Sequence, residues 1–124
     1  MFPMLSTENL ERALGFYREL LGGTETYRFP EGEHPVFLVL KLGESDVGLG
    51  AITSDSRPLH GQPLRPAQGH RIELCVYVDD VDATIDRMRA SGVPILLEPT
   101  DQPWGERVAY VSDPDGNLVM LTRS

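Results

Sequence analysis

Glu73 is the side chain of this sequence whose type and position best suit chemistry. It lies in an alternating run that places Glu73, Cys75 and Tyr77 on one face of a strand. The other face is apolar and is expected to lie under a helix, so the face with Glu73 should line a concave, cup-shaped surface. The apolar residues are Ile72, Leu74, Val76 and Val78.

Three roles are open for Glu73. In apolar surroundings, desolvation would raise its pKa toward that of a general acid or base. The carboxylate could equally bind the amine or hydroxyl group of a ligand. It could also accept a hydrogen bond from a neighbouring Ser, Tyr or Arg and take no part in chemistry.

The thiol and the imidazoles give weaker signals. Cys75 has no histidine at a spacing that predicts a nucleophile pair, so it is expected to be a small apolar filler. His34 and His60 fall in turn or linker stretches and should be exposed to solvent. His70 precedes Glu73 by an odd number of residues, so the two point to opposite faces of a strand and do not predict a ligand pair. The sequence contains no Ser-His-Asp order, phosphate-binding glycine loop or Cys-x-x-Cys motif.

The composition is typical of a globular domain with an acidic surface. The 124 residues suit one compact domain, and 40% hydrophobic and 24% charged residues are ordinary values. A formal net charge of −8 argues against nucleic acid and anionic membranes as partners and suits a neutral or cationic small molecule. A single cysteine excludes an intrachain disulfide, and no signal peptide or membrane-spanning run is visible, so we expect a cytoplasmic protein.

Two similar series of elements follow one another along the chain. Each is a strand, an amphipathic helix and three further strands, and the helix starts at Asn9 and Asp80 are 71 positions apart. The last strands start at Asp46 and Asn117, again 71 positions apart. Thr7 or Asn9 is the candidate N-cap of the first helix. The predicted strands span 2–6, 24–29, 36–42, 47–52, 71–78, 93–97, 107–112 and 118–122.

This repeat predicts an α+β fold made of two βαβββ modules in a single domain, 1–124. The modules are 1–52 and 70–124, joined by a Ser-, Pro- and Gly-rich linker, 53–69. Because each module has one helix to cover one sheet face, we expect a curved mixed sheet with helices outside and a concave cup. Clefts of this kind are favoured ligand sites. Asp113-Pro114-Asp115-Gly116-Asn117 predicts a tight hairpin turn before the last strand.

Short motifs stand in a fixed order over nearly the whole chain. In the first half they are Asn9-Leu10-Glu11-Arg12-Ala13, Phe16-Tyr17 and Leu21-Gly22. In the second half they are Tyr77-Val78-Asp79-Asp80-Val81-Asp82-Ala83, Gly92-Val93, Pro103-Trp104-Gly105 and Asp113-Pro114-Asp115-Gly116-Asn117. With these motifs the chain resembles the glyoxalase/bleomycin-resistance/extradiol-dioxygenase superfamily, also called vicinal oxygen chelate proteins. The resemblance implies paired βαβββ modules and a homodimer.

The resemblance also implies where a metal would be held. Enzymes of this family bind a divalent metal in the cup with ligands from the first and last strand of each half. Those positions correspond here to Phe2, Leu49, Glu73 and Met120. Only Glu73 offers an oxygen donor, and a divalent ion needs several strong protein ligands. We therefore expect neither a metal nor another cofactor.

Strand alternation extends the expected lining of the cup. The inward-facing residues are Phe2, Met4, Ser6, Val47, Leu49, Ala51, Leu118, Met120 and Thr122. Such a lining suits an apolar or aromatic molecule, but the same side chains can instead fill the cup as core. Trp104 is expected either to stack on a planar ligand at the rim or to anchor packing. Arg107 is expected to pair with Glu73 or with a ligand anion.

The resulting hypothesis is a metal-free protein that binds a small organic molecule, aromatic, apolar or cationic, with antibiotics among the candidates. The analogy is with the bleomycin-resistance branch, whose members sequester a drug. The expected ligand contacts are Phe2, Met4, Leu49, Glu73, Cys75, Tyr77, Trp104, Arg107 and Met120. One alternative is a lyase, isomerase or dioxygenase-like enzyme that uses Glu73 as acid or base. Another is a structural dimer with a filled cup.

Overall fold

The computed structural model describes residues 1–52, 68 and 72–123. The chain divides into two compact units, Met1–Pro66 and Ala67–Ser124. Apart from Gln68, the predicted linker 53–69 lies outside the described residues, as do His60 and His70. None of the helices in the described part is long and apolar enough to cross a membrane.

Unit 1 contains a four-stranded mixed sheet in the order β1-β4-β3-β2. β1 runs parallel to β4, and the other pairs are antiparallel. Its elements are β1 (Met4–Thr7), α1 (Leu10–Leu14), a π-helical segment (Gly15–Leu20), β2 (Thr24–Phe29), β3 (Phe37–Leu42) and β4 (Ser45–Ala51).

Unit 2 repeats this topology. Its four strands are ordered β5-β8-β7-β6, with β5 parallel to β8 and the other pairs antiparallel. Its elements are β5 (Glu73–Tyr77), α2 (Val81–Ala90), β6 (Ile95–Asp101), β7 (Arg107–Ser112) and β8 (Leu118–Arg123). The predicted α+β fold with two βαβββ modules is confirmed, and hydrogen bonding gives each module its own four-stranded sheet.

Both helices begin at the side-chain caps that the repeat predicts. Asn9 Oδ1 accepts a 3.0 Å hydrogen bond from the Arg12 amide, and Asp80 Oδ1 accepts one of 3.0 Å from the Ala83 amide. Thr7 is not the cap; its hydroxyl instead contacts the backbone of Asn9. These caps fix the point at which the chain leaves the first strand of each sheet and turns over one of its faces.

The core of each unit lies between the helix and one face of its sheet. In unit 1, Leu49 of β4 lies between Leu5 of β1 and Leu38 of β3, and all three side chains are buried. In unit 2, Val119 and Leu121 of β8 are buried in the same way. Burying each such aliphatic side chain contributes about 1.5–3 kcal/mol. In the described part of the chain, no helix of the same unit lies over the opposite face of either sheet, and we call these two surfaces the helix-free faces.

The predicted hairpin turn is confirmed. β7 and β8 pair antiparallel, and the buried carboxylate of Asp113 organises the turn between them. It accepts hydrogen bonds from the Asp115 amide (2.9 Å), the Asn117 amide (2.7 Å) and the Asn117 side chain (2.7 Å). Gly116 has φ +83°, a left-handed conformation that glycine adopts without strain.

Candidate functional site

Glu73 and Tyr110 form a hydrogen-bonded pair across the helix-free face of the unit 2 sheet. The Tyr110 hydroxyl donates a 2.6 Å hydrogen bond to Glu73 Oε1. This hydrogen bond to a carboxylate raises the pKa of Tyr110 to about 12, and partial burial is the second cause of the increase. Of the three roles considered for Glu73, the structure shows the hydrogen bond from a neighbouring tyrosine. Glu73 itself is exposed, so the apolar enclosure expected around it is not found in the described residues.

A second carboxylate lies toward the other end of the same face. Glu106 Oε2 accepts a 3.0 Å hydrogen bond from the Thr122 hydroxyl, and Thr122 is fully buried. The negative charge of Glu106, and a hydrogen bond to it, raise the pKa of the Tyr77 phenol. Tyr77 lies beside Thr122 in the register of β5 and β8. We call this surface the carboxylate–tyrosine face; it consists of Glu73, Cys75, Tyr77, Glu106, Tyr110 and Thr122.

Cys75 lies between the two carboxylates, beside Met120 in the strand register. The pKa of its thiol is raised, mainly because partial burial disfavours the thiolate and secondly because Glu106 and Glu73 are negatively charged. A thiol that resists deprotonation is a poor nucleophile, since the thiolate is the reactive form. Cys75 is exposed in the described part of the chain, so the expected role as a small apolar filler is not found there.

The helix-free face of unit 1 is aromatic. The Phe37 ring lies 5.9 Å from the Phe29 ring with an interplanar angle of 27°, and 5.8 Å from the Tyr27 ring. Tyr27 and Phe29 are each 53% exposed. Such rings provide a flat apolar surface with electron-rich faces. We call this surface the aromatic face; it consists of Phe2, Met4, Tyr27, Phe29, Phe37, Gly48 and Gly50.

The prediction that Leu49 faces the cup is wrong. Met4 pairs with Gly48 in β1 and β4, just as Cys75 pairs with Met120 in β5 and β8. Gly48 is therefore the unit 1 counterpart of Met120, and the repeat distance is one residue longer here than between the helices. A shift of one residue reverses every side chain on a strand. Leu49 accordingly points to the helix and is 1% exposed.

The same shift places Val47 with Leu49 in the core, against the prediction that both face inward. Phe2 and Met4 keep their predicted side and lie over Gly48. A Cβ atom added at Gly48 would lie 2.5 Å from Met4 Sδ and 3.3 Å from Phe2 Cε2. An apolar ring and a thioether thus fill the space beside this strand position.

Arg107 does not pair with Glu73. Its guanidinium donates to Asp82 through Nε (2.7 Å) and Nη2 (2.9 Å), and to Asp101 through Nη1 (3.0 Å). The reason is again strand parity, because Arg107 lies on the face that carries α2, where Asp82 is located. Arg107 therefore ties β7 to α2. Trp104 lies in the turn between β6 and β7 and is 65% exposed, so it is not a packing anchor within the described residues.

The side chains of the described residues do not fit a divalent metal. Corrected for the strand register, the family's ligand positions hold Phe2, Gly48, Glu73 and Met120. Of these, Glu73 alone has an oxygen donor, and it already accepts a hydrogen bond from Tyr110. No group of three or more His, Cys, Asp or Glu side chains that could hold a metal occurs in the described ranges. His34 is exposed, as expected, and lies on the loop between β2 and β3.

Several residues of these two faces were not identified from the sequence. Tyr110 lies on β7, and Glu106 directly precedes that strand at an even spacing from Tyr110. Strand alternation continued back by one residue would have predicted that both face the same side. Tyr27, Phe29 and Phe37 alternate on β2 and β3, but the bulge between Glu25 and Tyr27 interrupts the pattern.

Comparison with known proteins places this geometry in a family. The model of the glyoxalase/bleomycin resistance protein/dioxygenase superfamily matches residues 3–121. Lactoylglutathione lyase of Haemophilus influenzae is 34% identical, over 94% of this chain and 85% of its own length. The crystal structure of TioX from Micromonospora sp. ML1 has a TM-score of 0.76 at 28% identity, covering 99% of this chain and 96% of that one.

A third relative is longer than this chain. CFP32 of Mycobacterium bovis, whose name describes it provisionally as a glyoxylase, is 32% identical over 96% of this chain. The chain spans only 41% of the length of CFP32. On the family match over residues 3–121, the chain belongs to the glyoxalase/bleomycin resistance protein/dioxygenase superfamily.

Proposed function

We propose that this protein binds a small aromatic or cationic organic molecule without a metal ion. The observation that carries the proposal is the chemistry of the two helix-free sheet faces. One presents exposed rings at Tyr27 and Phe29, and the other presents two carboxylates, Glu73 and Glu106, each held by hydroxyl groups. A net charge of −8 favours the approach of cations.

Each face, taken by itself, offers a different kind of recognition. Aromatic rings stack on planar ligands and attract cations over their faces. A carboxylate that a tyrosine orients can accept hydrogen bonds from a ligand amine or hydroxyl group. Trp104, being exposed, offers a further stacking surface. The apolar side chains at Phe2 and Met120 suit hydrocarbon rather than a hydrated ion.

A thermal-shift screen of antibiotics and aromatic metabolites tests the proposal, since a ligand of the folded state raises the melting temperature. We expect a hit whose shift is reduced by Phe37→Leu or Glu73→Gln. The matched control is Glu44→Gln, which removes a carboxylate in the turn between β3 and β4. Stoichiometric Zn, Ni, Mn or Fe in protein purified without chelator would contradict metal-free binding.

An enzyme is the second candidate, favoured by the hydrogen bond between Tyr110 and Glu73 and by the likeness to a lactoylglutathione lyase. In a lyase or isomerase of this kind, Glu73 would take a proton from a substrate carbon and return it to a neighbouring one, with Tyr110 orienting the carboxylate. Glu73→Gln separates the two functions: it abolishes turnover in an enzyme, and it weakens affinity in a binding protein.

We also infer that the protein is a homodimer in the cytoplasm. The single cysteine, which cannot form an intrachain disulfide, suits that compartment. The support for the dimer is the one that the family resemblance implies, together with large exposed apolar side chains on each unit, among them Val36 and Ile72. Sedimentation equilibrium measures the assembly directly, and a monomer at micromolar concentration would contradict it.

A further inference from the structure

A cavity of about 420 Å³ lies on the helix side of unit 1, away from the aromatic face. It lies between α1, its π-helical continuation and the loop that joins β2 to β3. Its size is within the range of small-molecule sites. The lining residues are Leu10, Glu11, Leu14, Arg18, Arg28, Glu33, His34 and Pro35.

The apolar part of the lining comes from Leu10, Leu14 and Pro35. Leu10 and Leu14 are four residues apart on the helix and therefore form one continuous strip. Leu14 is largely buried, while Leu10 and Pro35 are half-buried. This strip supplies a hydrocarbon surface on which the body of a ligand can rest.

The arginines of the cavity are neutralised by other residues. Arg28 makes a bidentate pair with Glu25, at 2.8 Å through Nε and 2.7 Å through Nη2, and also donates to the Gly32 carbonyl. This pairing lowers the pKa of Glu25 and raises that of Arg28. Arg18 donates a 2.7 Å hydrogen bond from Nε to Glu19.

The carboxylates of the lining are not neutralised in this way. Within residues 1–52, 68 and 72–123, neither Glu11 nor Glu33 forms an ion pair. Both are exposed at the rim, one on the helix and one on the loop. The charge that remains uncompensated in the cavity is therefore negative, beside an apolar strip.

From this combination we propose that the cavity binds a small organic cation with a compact apolar body, such as a primary alkylammonium ion. The hydrocarbon part lies on Leu10, Leu14 and Pro35, and the ammonium group lies between Glu11 and Glu33. The arrangement joins the helix to the β2–β3 loop, which Arg28 holds through the Gly32 carbonyl. This site lies on the helix side of the unit 1 sheet, apart from the aromatic face and the carboxylate–tyrosine face, and it is independent of the proposed function.

The test uses cyclohexylmethylammonium as probe and amide chemical shifts as readout. We expect saturable shifts in residues 10–18, 28 and 32–35, with the neutral cyclohexylmethanol binding more weakly. The double variant Glu11→Gln/Glu33→Gln should weaken the affinity about tenfold, since each partly exposed ion pair contributes modestly.

Matched controls separate this site from the sheet faces. Glu31→Gln removes a carboxylate from the same loop without touching the lining, and Glu44→Gln removes one from the turn between β3 and β4; both should bind the probe as the unmodified protein does. Equal binding of the alcohol, preferential binding of cyclohexanecarboxylate, or unchanged affinity of the double variant would overturn the proposal. Shifts confined to unit 2 that vanish in Glu73→Gln would also overturn it, while leaving the proposed function in place.

Discussion

Replacing Glu73 by Gln should return the pKa of Tyr110 to that of an ordinary tyrosine. The pKa of Tyr110 is raised from 10.0 to about 12, mainly because its hydroxyl donates to the Glu73 carboxylate. Ionising the phenol breaks this hydrogen bond and sets two negative charges side by side. A neutral amide at position 73 removes the charge and most of the preference for the protonated phenol.

The magnitude is large at a pH that avoids complete alkaline titration. At pH 11, a phenol with a pKa near 12 is about 10% ionised, whereas one with a pKa near 10 is about 90% ionised. The ¹³Cζ chemical shift of labelled tyrosine reports this fraction for each tyrosine separately. Tyr110→Phe assigns the signal, because it removes one resonance.

The same contact should make the stability of the protein depend on alkaline pH. The folded-state pKa of Tyr110 lies above its unfolded value, so the contribution of the contact is complete below pH about 10 and is lost as the pH rises to about 12. In Glu73→Gln this decline should be absent. The pair is partly exposed, so we expect a contribution of about 1 kcal/mol or less.

Glu106→Gln is the control for a general change in charge. It should lower the pKa of Tyr77, which is raised by Glu106, and leave Tyr110 close to its original value. If Glu73→Gln leaves the ionised fraction of Tyr110 at pH 11 unchanged, the hydrogen bond does not control that phenol, and the carboxylate–tyrosine face is wrongly described.

Four further substitutions test the packing and the last turn. Leu49→Ala should cost about 2–5 kcal/mol in urea unfolding because this side chain is core; a cost near zero would restore the original prediction that it faces outward. Gly48→Val should cost about 1 kcal/mol, the low end for overpacking, because its Cβ displaces only the flexible end of the half-exposed Met4 side chain. Gly50→Ala, with nothing nearer than 3.9 Å, should cost less. Asp113→Ala should lower the melting temperature by several degrees, at about 2–3 kcal/mol, because it leaves turn amides without their acceptor; a melt within experimental error of the parent would exclude that role.

The fold could be predicted from the sequence because its signals are local and repeated. Asn9 and Asp80 cap their helices through contacts within three residues, and Asp113 organises a turn within four. Each of these preferences acts whatever the rest of the chain does. The distances between these residues along the chain are therefore sufficient to predict the order of the helices and strands.

The site was harder to predict because it depends on partners across strands. The register of β4 differs by one residue from the one that the repeat predicts. As a result, Leu49 faces the core and Gly48 faces the opposite side of the sheet, where no described helix of unit 1 lies. Likewise, Arg107 is 25 residues from Asp82 along the chain, and Tyr110 is 37 from Glu73. Spacing in the sequence does not determine which of two faces, or which of several carboxylates, a long side chain reaches.

The contact of Met4 with Gly48 bears on whether a metal centre could be built at these positions. A carboxylate introduced at position 48 would have to displace the Met4 thioether, which is the end of a flexible and half-exposed side chain. Phe2 and Met120 would still offer no donor for a hard cation. Because a divalent ion needs several protein ligands and Glu73 alone is present, no single substitution at these positions would supply such a centre.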